Sequence, residues 1–428
     1  NLFKEEVLWS NFSRDGMPAS FDDWQGAAPV TGEPEVARAW HNARKEVRIA
    51  VKAGAPVKLG VEARAAVPNG FVEMARHHGA NSPAHRAIAR YRRGVNFGNY
   101  LEAPRGQDWG VRYSAEDFHA AAREGFDHVR IPMRWNDWVG ETPEYRIEDA
   151  FYSKCDFMVT NALNNHLNVI VNLHHFDAFY KNPVSTKAEF FAIWKQIAEH
   201  YKSFSSEQVG FELLNEPMDK ATTQVMNPIL AEAIQLVRKS CPNHTIFVGP
   251  GSWNAVDELK NLSLPDNDSN LIVTVHCYDP FNFTHQGASW VGPQMGTKGV
   301  IFPGPPETPL APIAATKANR GMVQWFERYN SVPRNKNPSS SLAFEDKIQT
   351  AHDWSLYYGR PIHFGEFGAI VNADDISRAN WYREFRTRLE NNDLAWAVWD
   401  WKAGFAYWDP NKNQPRAGLR EALFGTSK

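Results

Sequence analysis

From about residue 93 onward, short β-branched or apolar runs alternate with longer stretches whose apolar positions recur at helical spacing, the pattern of βα units around a parallel sheet. Eight runs predict strands: 93–97 (RGVNF), 128–133 (HVRIPM), 168–175 (NVIVNLHH), 209–216 (VGFELLNE), 245–249 (TIFVG), 271–278 (LIVTVHCY), 361–366 (PIHFGE) and 394–401 (LAWAVWDW). Between them the periodicity predicts helices over 115–124, 149–164, 187–201 and 223–240, the first opened by Ser114 and closed by Gly125. Eight strands each followed by a helix is the count that closes a (β/α)8 barrel. An open doubly wound sheet is the competitor, but the chain has neither a GxGxxG turn nor a P-loop.

Two parts fall outside the repeat. Residues 1–92 mix helical stretches, 35–46 and 82–92, with Gly/Pro breaks around Gly54 to Pro56 and Val67 to Gly70, and form an extension with no assignable fold. Residues 93–428 form the barrel. Within it, a segment after strand six, residues 291–341, carries Pro303, Pro305, Pro306, Pro309 and Pro312 and reads as a long proline-stiffened loop over the rim, a wall for a cleft or a solvated loop.

Composition narrows the function. The 428 residues carry 46 basic and 49 acidic side chains, a formal charge of −3, with no basic block that would mark a nucleic-acid partner. No run of about 18 apolar residues is present to span a membrane. The three cysteines, Cys155, Cys241 and Cys277, lack CxxC spacing; they read as buried thiols with room for one pair at most. The 16 tryptophans are the notable excess, since indoles serve equally as core and as flat ligand platforms.

Polar residues cluster at the C-terminal ends of the runs: Arg130, His174 with His175, Asn215 with Glu216, His276 with Tyr278, Glu366, and Trp399 with Asp400. In a barrel these ends share one rim, where active sites are built. Glu216 ends the fourth run immediately before Pro217, which is expected to push it towards extended backbone. Glu366 ends the seventh between Gly365 and, two residues on, Gly368, which permit close backbone approach. Two carboxyls facing each other across a barrel mouth are the equipment of glycoside hydrolysis, with the gap between them deciding retention or inversion. Arg130 can hold a neighbouring carboxylate ionised, and Tyr278 can donate to it. His276 and Tyr278 share a strand face while Cys277 packs behind. His174, His175, His276 and a Glu are also the material of a metal hydrolase. Adjacent strand residues point to opposite faces, however, and no HExxH or HxH spacing occurs, so no metal is expected. No GxSxG elbow is present.

Sugars offer apolar C–H faces to indoles while polar neighbours take their hydroxyls. Trp399, ending strand eight, and Trp290, following strand six, are the expected platforms; Trp109, Trp135, Trp253 and Trp408 are left mostly to packing.

These residues carry a family pattern. The stretch from Gly94 to the C-terminus resembles glycoside hydrolase family 5, the cellulase family, through Asn215-Glu216-Pro217 and Gly365-Glu366-Phe367-Gly368. The segments 94–104 (GVNFGNYLEAP) and 280–290 (PFNFTHQGASW) are similar to a bacterial endoglucanase subgroup, some of whose members also cleave mannans. The resemblance implies a metal- and cofactor-free retaining mechanism with Glu216 as acid/base and Glu366 as nucleophile. It also implies that Asn215 meets the sugar 2-hydroxyl, that Arg130 and Tyr278 support Glu366, that His276 sits by the acid/base, and that His174, with His175 adjacent, lines the pocket. Trp399 floors the subsite next to the cleavage point, and Asn99 and Glu102 match sugar-contacting positions.

The expected activity is a retaining endo-β-1,4-glucanase acting as an extracellular or periplasmic monomer on a β-linked polysaccharide. The alternatives are a β-mannanase or an enzyme of mixed glucan, glucomannan and xyloglucan specificity, then a non-catalytic carbohydrate-binding barrel or a metal-dependent hydrolase.

Overall fold

The computed structural model describes residues 71–72, 74–76 and 82–425. The predicted helix over 35–46 and most of the extension lie outside these residues. Eight parallel strands close a barrel in sequence order: β1 (Arg93–Asn96), β2 (His128–Met133), β3 (Asn168–Leu173), β4 (Val209–Glu212), β5 (Ile246–Val248), β6 (Leu271–His276), β7 (Ile362–Phe367) and β8 (Ala395–Val398). β8 pairs back onto β1, with Gly94 beside Ala397. The four predicted helices form at Ala115–Glu124, Asp149–Asn164, Lys187–Tyr201 and Thr223–Ser240. At the first of them the Asp117 carboxylate accepts from the Ser114 N–H at 2.7 Å and Gly125 ends the helix at φ 105°.

One face of each strand packs outward against the helix ring, where Val129, Ile131, Val171, Phe211, Val273 and Phe364 join the main core. Alternation turns the other face into the barrel. Its base is filled by Ile170, Phe247, Ile272 and Ala395. Nearer the mouth the inward positions are polar: Asn96, Arg130, Asn172, Glu212 and Thr274, all fully buried. The barrel is therefore closed below by apolar side chains together with the buried pair His128 and His363, whose Nε2 atoms lie 3.0 Å apart, and carries a charged layer directly under the rim.

Three expectations are revised. Strand five is followed by short elements, the turn Gly251–Asn254 and the six-residue 3-10 helix Val256–Asn261, rather than a long helix. The proline-rich segment is not a plain loop. It contains the helix Arg320–Ser331, capped by Asn319 and burying Phe326 and Tyr329, and Asn337 Nδ2 ties it by donating to the Tyr329 carbonyl at 2.9 Å. The predicted stretch 82–92 shortens to Pro83–Ile88, whose Ala84, Ala87 and Ile88, with Tyr91, plug the barrel base. The three cysteines are buried and unpaired, so no disulfide forms. Among the described residues no helix is long and apolar enough to cross a membrane.

Candidate active site

The charged layer is built around Arg130. On β2 its inward side chain donates from Nε and Nη2 to the two oxygens of Glu212 at 2.6 and 2.7 Å, a bidentate pair with no exposure on either partner. The remaining donors reach Glu366 Oε1 at 2.8 Å, Asn96 Oδ1 at 2.8 Å and Asn215 Oδ1 at 2.6 Å. One guanidinium thus fixes groups from β1, β4 and β7, and holds the charge of two buried carboxylates.

Glu366 is aimed inward by a bulge. The β6–β7 register runs Val275 to Phe364 and then His276 to Glu366, leaving Gly365 unmatched. A Cβ on Gly365 would lie 2.5 Å from Thr274 Oγ1, and one on Gly368 only 2.2 Å from the Trp399 carbonyl oxygen, so both positions require glycine. The carboxyl accepts from Tyr278 Oη at 2.8 Å on its second oxygen. Burial pushes its pKa up, against the opposing pull of His276, Arg130 and the Tyr278 hydroxyl.

Glu216 follows β4 and has φ 44°, in the left-handed region rather than the extended one expected before proline. Such a conformation costs about 1–3 kcal/mol and is characteristic of functional positions. Its side chain is 21% exposed against 6% for Glu366, and its Oε1 lies 2.8 Å from His276 Nδ1. Without a direct cation, Glu216 is raised to about 7, chiefly by burial, with Arg130 lowering it and Glu212 raising it. His276 is pushed down to about 4 by burial and is therefore neutral near pH 7.

A carboxyl oxygen of each glutamate and a His276 ring nitrogen all lie within 4.8 Å of one another, a group that could ligate a metal. The buried Arg130 charge already neutralises Glu366 from 2.8 Å, so a dication would sit against a fixed cation. That charge distribution suits two independently tuned carboxyls better than a metal centre.

Other expected residues gather at the same mouth. Asn215 keeps its Nδ2 buried with no protein partner among the described residues, a donor free for a ligand. His174 and His175 lie beyond the end of β3, with His175 at φ 60°, so the strand-face argument does not apply and their rings meet edge to face at 4.1 Å. His174 accepts or donates at Nδ1 with Asn172 Oδ1 at 2.9 Å and stacks within 10° of the Trp399 plane at 5.8 Å. Trp399 also lies over Gly98, where a Cβ would come within 2.7 Å of the indole. Asn99 donates to Asp400 Oδ2 at 3.1 Å, so it braces the loop carrying Trp399. Glu102 is fully buried and spends its oxygens on the Asn99 and Tyr100 N–H groups of its own loop. Trp290 stands 64% exposed beyond Phe405 at 6.2 Å.

Sequence reasoning missed four residues. Glu212 and Asn96 were visible as polar residues inside apolar runs. Asp400, noted only as a rim residue, is fully buried and raised to about 7 by burial. Trp253 stands out from the surface: a left-handed turn at Ser252, Trp253 and Asn254 holds it 56% exposed, with its backbone N–H donating to the Pro217 carbonyl at 3.1 Å, next to Glu216. Trp109, also left to packing, is 43% exposed, whereas Trp135 and Trp408 are buried as expected.

Two carboxyls facing one cleft, one stripped of cations and one held by Arg130 and Tyr278, together with flat indoles at the mouth, are the machinery of a glycoside hydrolase. Residues 91–404 match the family model described as Cellulase (glycosyl hydrolase family 5). The chain belongs to glycoside hydrolase family 5. It is 30% identical over 310 residues to Endoglucanase H of Acetivibrio thermocellus, a match covering 72% of this chain but 29% of that protein. It is 27% identical over 334 residues to Endoglucanase C of the same organism, covering 74% of this chain and 92% of that one. Endoglucanase Cel5A of Thermotoga maritima superposes with TM-score 0.68 at 34% identity, over 80% of this chain and 100% of that one. The same protein has been solved with mannotriose, at TM-score 0.67 and 33% identity over 79% of this chain and 99% of that one.

Proposed function

We propose that the protein is a retaining endo-β-1,4-glucanase in which Glu216 is the acid/base and Glu366 the nucleophile. The observation that carries the assignment is the unequal environment of the two carboxyls. Glu366 takes a guanidinium and a phenol at 2.8 Å each, which favour its anion against the burial that raises it, while Glu216 has only the neutral His276 beside it and is raised to about 7. In the first step Glu366 attacks the anomeric carbon and the Glu216 proton passes to the departing glycosidic oxygen. In the second, Glu216 takes a proton from water, which displaces Glu366. An oxygen-to-oxygen gap within 4.8 Å favours direct attack, because inversion needs about 6.5–9.5 Å to seat a water.

The unpartnered Asn215 Nδ2 is placed to meet the 2-hydroxyl of the sugar under attack, and Trp399 to floor that sugar. His174 and His175 line the same side. Trp253 and Trp290 are the exposed faces for the rest of the chain, Trp253 on the leaving-group side because it adjoins Glu216. Every one of these groups comes from one chain, so a monomer suffices. A polymeric substrate places the enzyme outside the cytoplasm.

The test is a product profile on carboxymethylcellulose, glucomannan, mannan and xyloglucan, with viscosity followed against reducing ends and the first-formed anomer read by NMR. A rapid viscosity drop on the glucan with a β-anomer first supports the reading. An α-anomer overturns retention, and activity confined to mannan replaces glucanase by the mannanase alternative, which the mannotriose complex of Cel5A keeps open.

A further inference from the structure

Glu216 keeps its left-handed φ immediately before Pro217, although a residue in that place is pressed towards extended backbone. Such backbone persists only where its surroundings over-determine it. The φ of Glu216 is the rotation that relates the Asn215–Glu216 peptide plane to the rest of the residue, so a group that fixes this plane also fixes where the carboxyl is carried. The carbonyl oxygen of that peptide, on Asn215, accepts from Tyr180 Oη at 2.5 Å.

Tyr180 lies on the short helix Asp177–Lys181 after β3, and its ring is buried. It grips the Glu216 loop twice. Its hydroxyl holds the Asn215 carbonyl, and its own carbonyl accepts from the Lys220 N–H at 3.0 Å, so the stretch 215–220 is fastened at both ends to one residue of the neighbouring loop. From the β5 side the Trp253 N–H takes the Pro217 carbonyl, and upstream Trp194 Nε1 donates to the Leu213 carbonyl at 2.8 Å. Of these donors only the Tyr180 hydroxyl acts on the peptide that sets φ of Glu216. Burial, with the Glu216 charge added, pushes the pKa of this hydroxyl up, so it remains a donor across the range in which Glu216 gains and loses its proton.

We propose that Tyr180 is a positioning residue for the acid/base: its hydroxyl pins the Asn215–Glu216 peptide and thereby aims the Glu216 carboxyl at the glycosidic oxygen. The proposal rests on the reading of Glu216 as the acid/base. Tyr180→Phe keeps the ring and removes only the pin. The experiment measures kcat/KM on cellotetraose, whose leaving group needs a proton, and on dinitrophenyl β-cellobioside, whose leaving group departs without one, with thermal melts alongside. Tyr180→Phe should lose about tenfold on cellotetraose and stay within about twofold on the aryl substrate, a part of the roughly 10²–10⁴ that a positioned acid supplies. Para-aminophenylalanine in place of Tyr180, which restores a donor at the same point, should recover most of that loss. Trp194→Phe removes a buried bond to the same segment but leaves the Asn215–Glu216 peptide held; it should lower Tm and affect the two substrates alike. Glu216→Ala is the reference and should show the same contrast between substrates, larger. Equal loss on both substrates for Tyr180→Phe, or none, overturns the positioning role while leaving the acid/base reading intact. Absence of the contrast in Glu216→Ala overturns both.

Discussion

Replacing Glu216 by Gln should make the protein more stable at pH 8 while abolishing turnover of unactivated glycosides. The carboxyl is moved from 4.5 to about 7, mainly by burial. At about 1.4 kcal/mol per pH unit, that corresponds to roughly 3 kcal/mol of native-state cost for its ionised form. The unfolded chain releases this proton near pH 4.5 and the native state keeps it to about 7, so the native state binds more protons in between. Stability from this group is therefore full below pH 4.5 and falls as pH rises to 7. Glu102 and Asp400, also raised to about 7 by burial, add to the same slope in both proteins, so the difference between wild type and variant isolates Glu216. Melts at pH 5 and pH 8 should give nearly equal Tm values at pH 5 and a variant higher by roughly 4 °C at pH 8, taking about 2.1 cal/mol/K of unfolding entropy per residue. The kcat/KM profile of the wild type on cello-oligosaccharides should fall above pH 7 for the same reason, because the acid has been lost. A variant whose advantage is the same at both pH values, or an alkaline limb well away from 7, would refute the assignment of that proton to Glu216.

Azide should separate the two roles. Glu366→Gly on an aryl β-glycoside is rescued with an inverted glycosyl azide and Glu216→Ala with a retained one, and exchanged stereochemistry would reverse the assignment. Arg130→Met strands Glu212 and Glu366 as uncompensated buried carboxylates and should cost about 3–5 kcal/mol in urea melts, whereas Arg130→Lys should keep more of the stability and still lose activity with the fork; equal losses would mean that the bidentate geometry is immaterial. Trp399→Ala should lower kcat/KM by about tenfold or more with a Tm change of only a few degrees, since its ring is partly exposed; a collapse in Tm would return it to the core. Gly368→Ala drives a methyl to within 2.2 Å of the Trp399 carbonyl, so activity and about 1–3 kcal/mol of stability should fall together.

The strands were legible because both faces of a parallel sheet are covered, so they read as unbroken apolar runs, and four of the helices by their periodicity, whereas Leu342–Tyr358 and Asp375–Asn391 were not singled out. Several runs read too long at their C-terminal ends: in 168–175 the strand ends at Leu173 and in 209–216 at Glu212. The surplus residues are the rim, where His175 and Glu216 turn to positive φ. Composition does not separate a strand from the backbone that leaves it, and Pro217 argued for extended geometry that tertiary contacts override. The glycines around Glu366 were readable because only glycine survives such close backbone approach. The helix Arg320–Ser331 was obscured by the prolines before it, although Met322, Phe326 and Tyr329 stand at helical spacing.

What no single segment could reveal is how one positive charge is shared. The β2–β3–β4 register sets Arg130 beside Ile170 and Asn172 beside Glu212, and the inward turn of both charged residues brings them together across β3. Glu212 takes two of the guanidinium's donors and Glu366 a third, so the carboxyls of β4 and β7 share the single positive charge of Arg130. Glu216, four residues beyond Glu212 and past the strand end, is left outside that arrangement and meets only a neutral imidazole. The unequal settings of the two carboxyls thus follow from where β4 ends: Glu212, inside the strand, takes two of the guanidinium's donors and Glu366 a third, while Glu216, just beyond the strand, receives none and is raised to about 7 by burial.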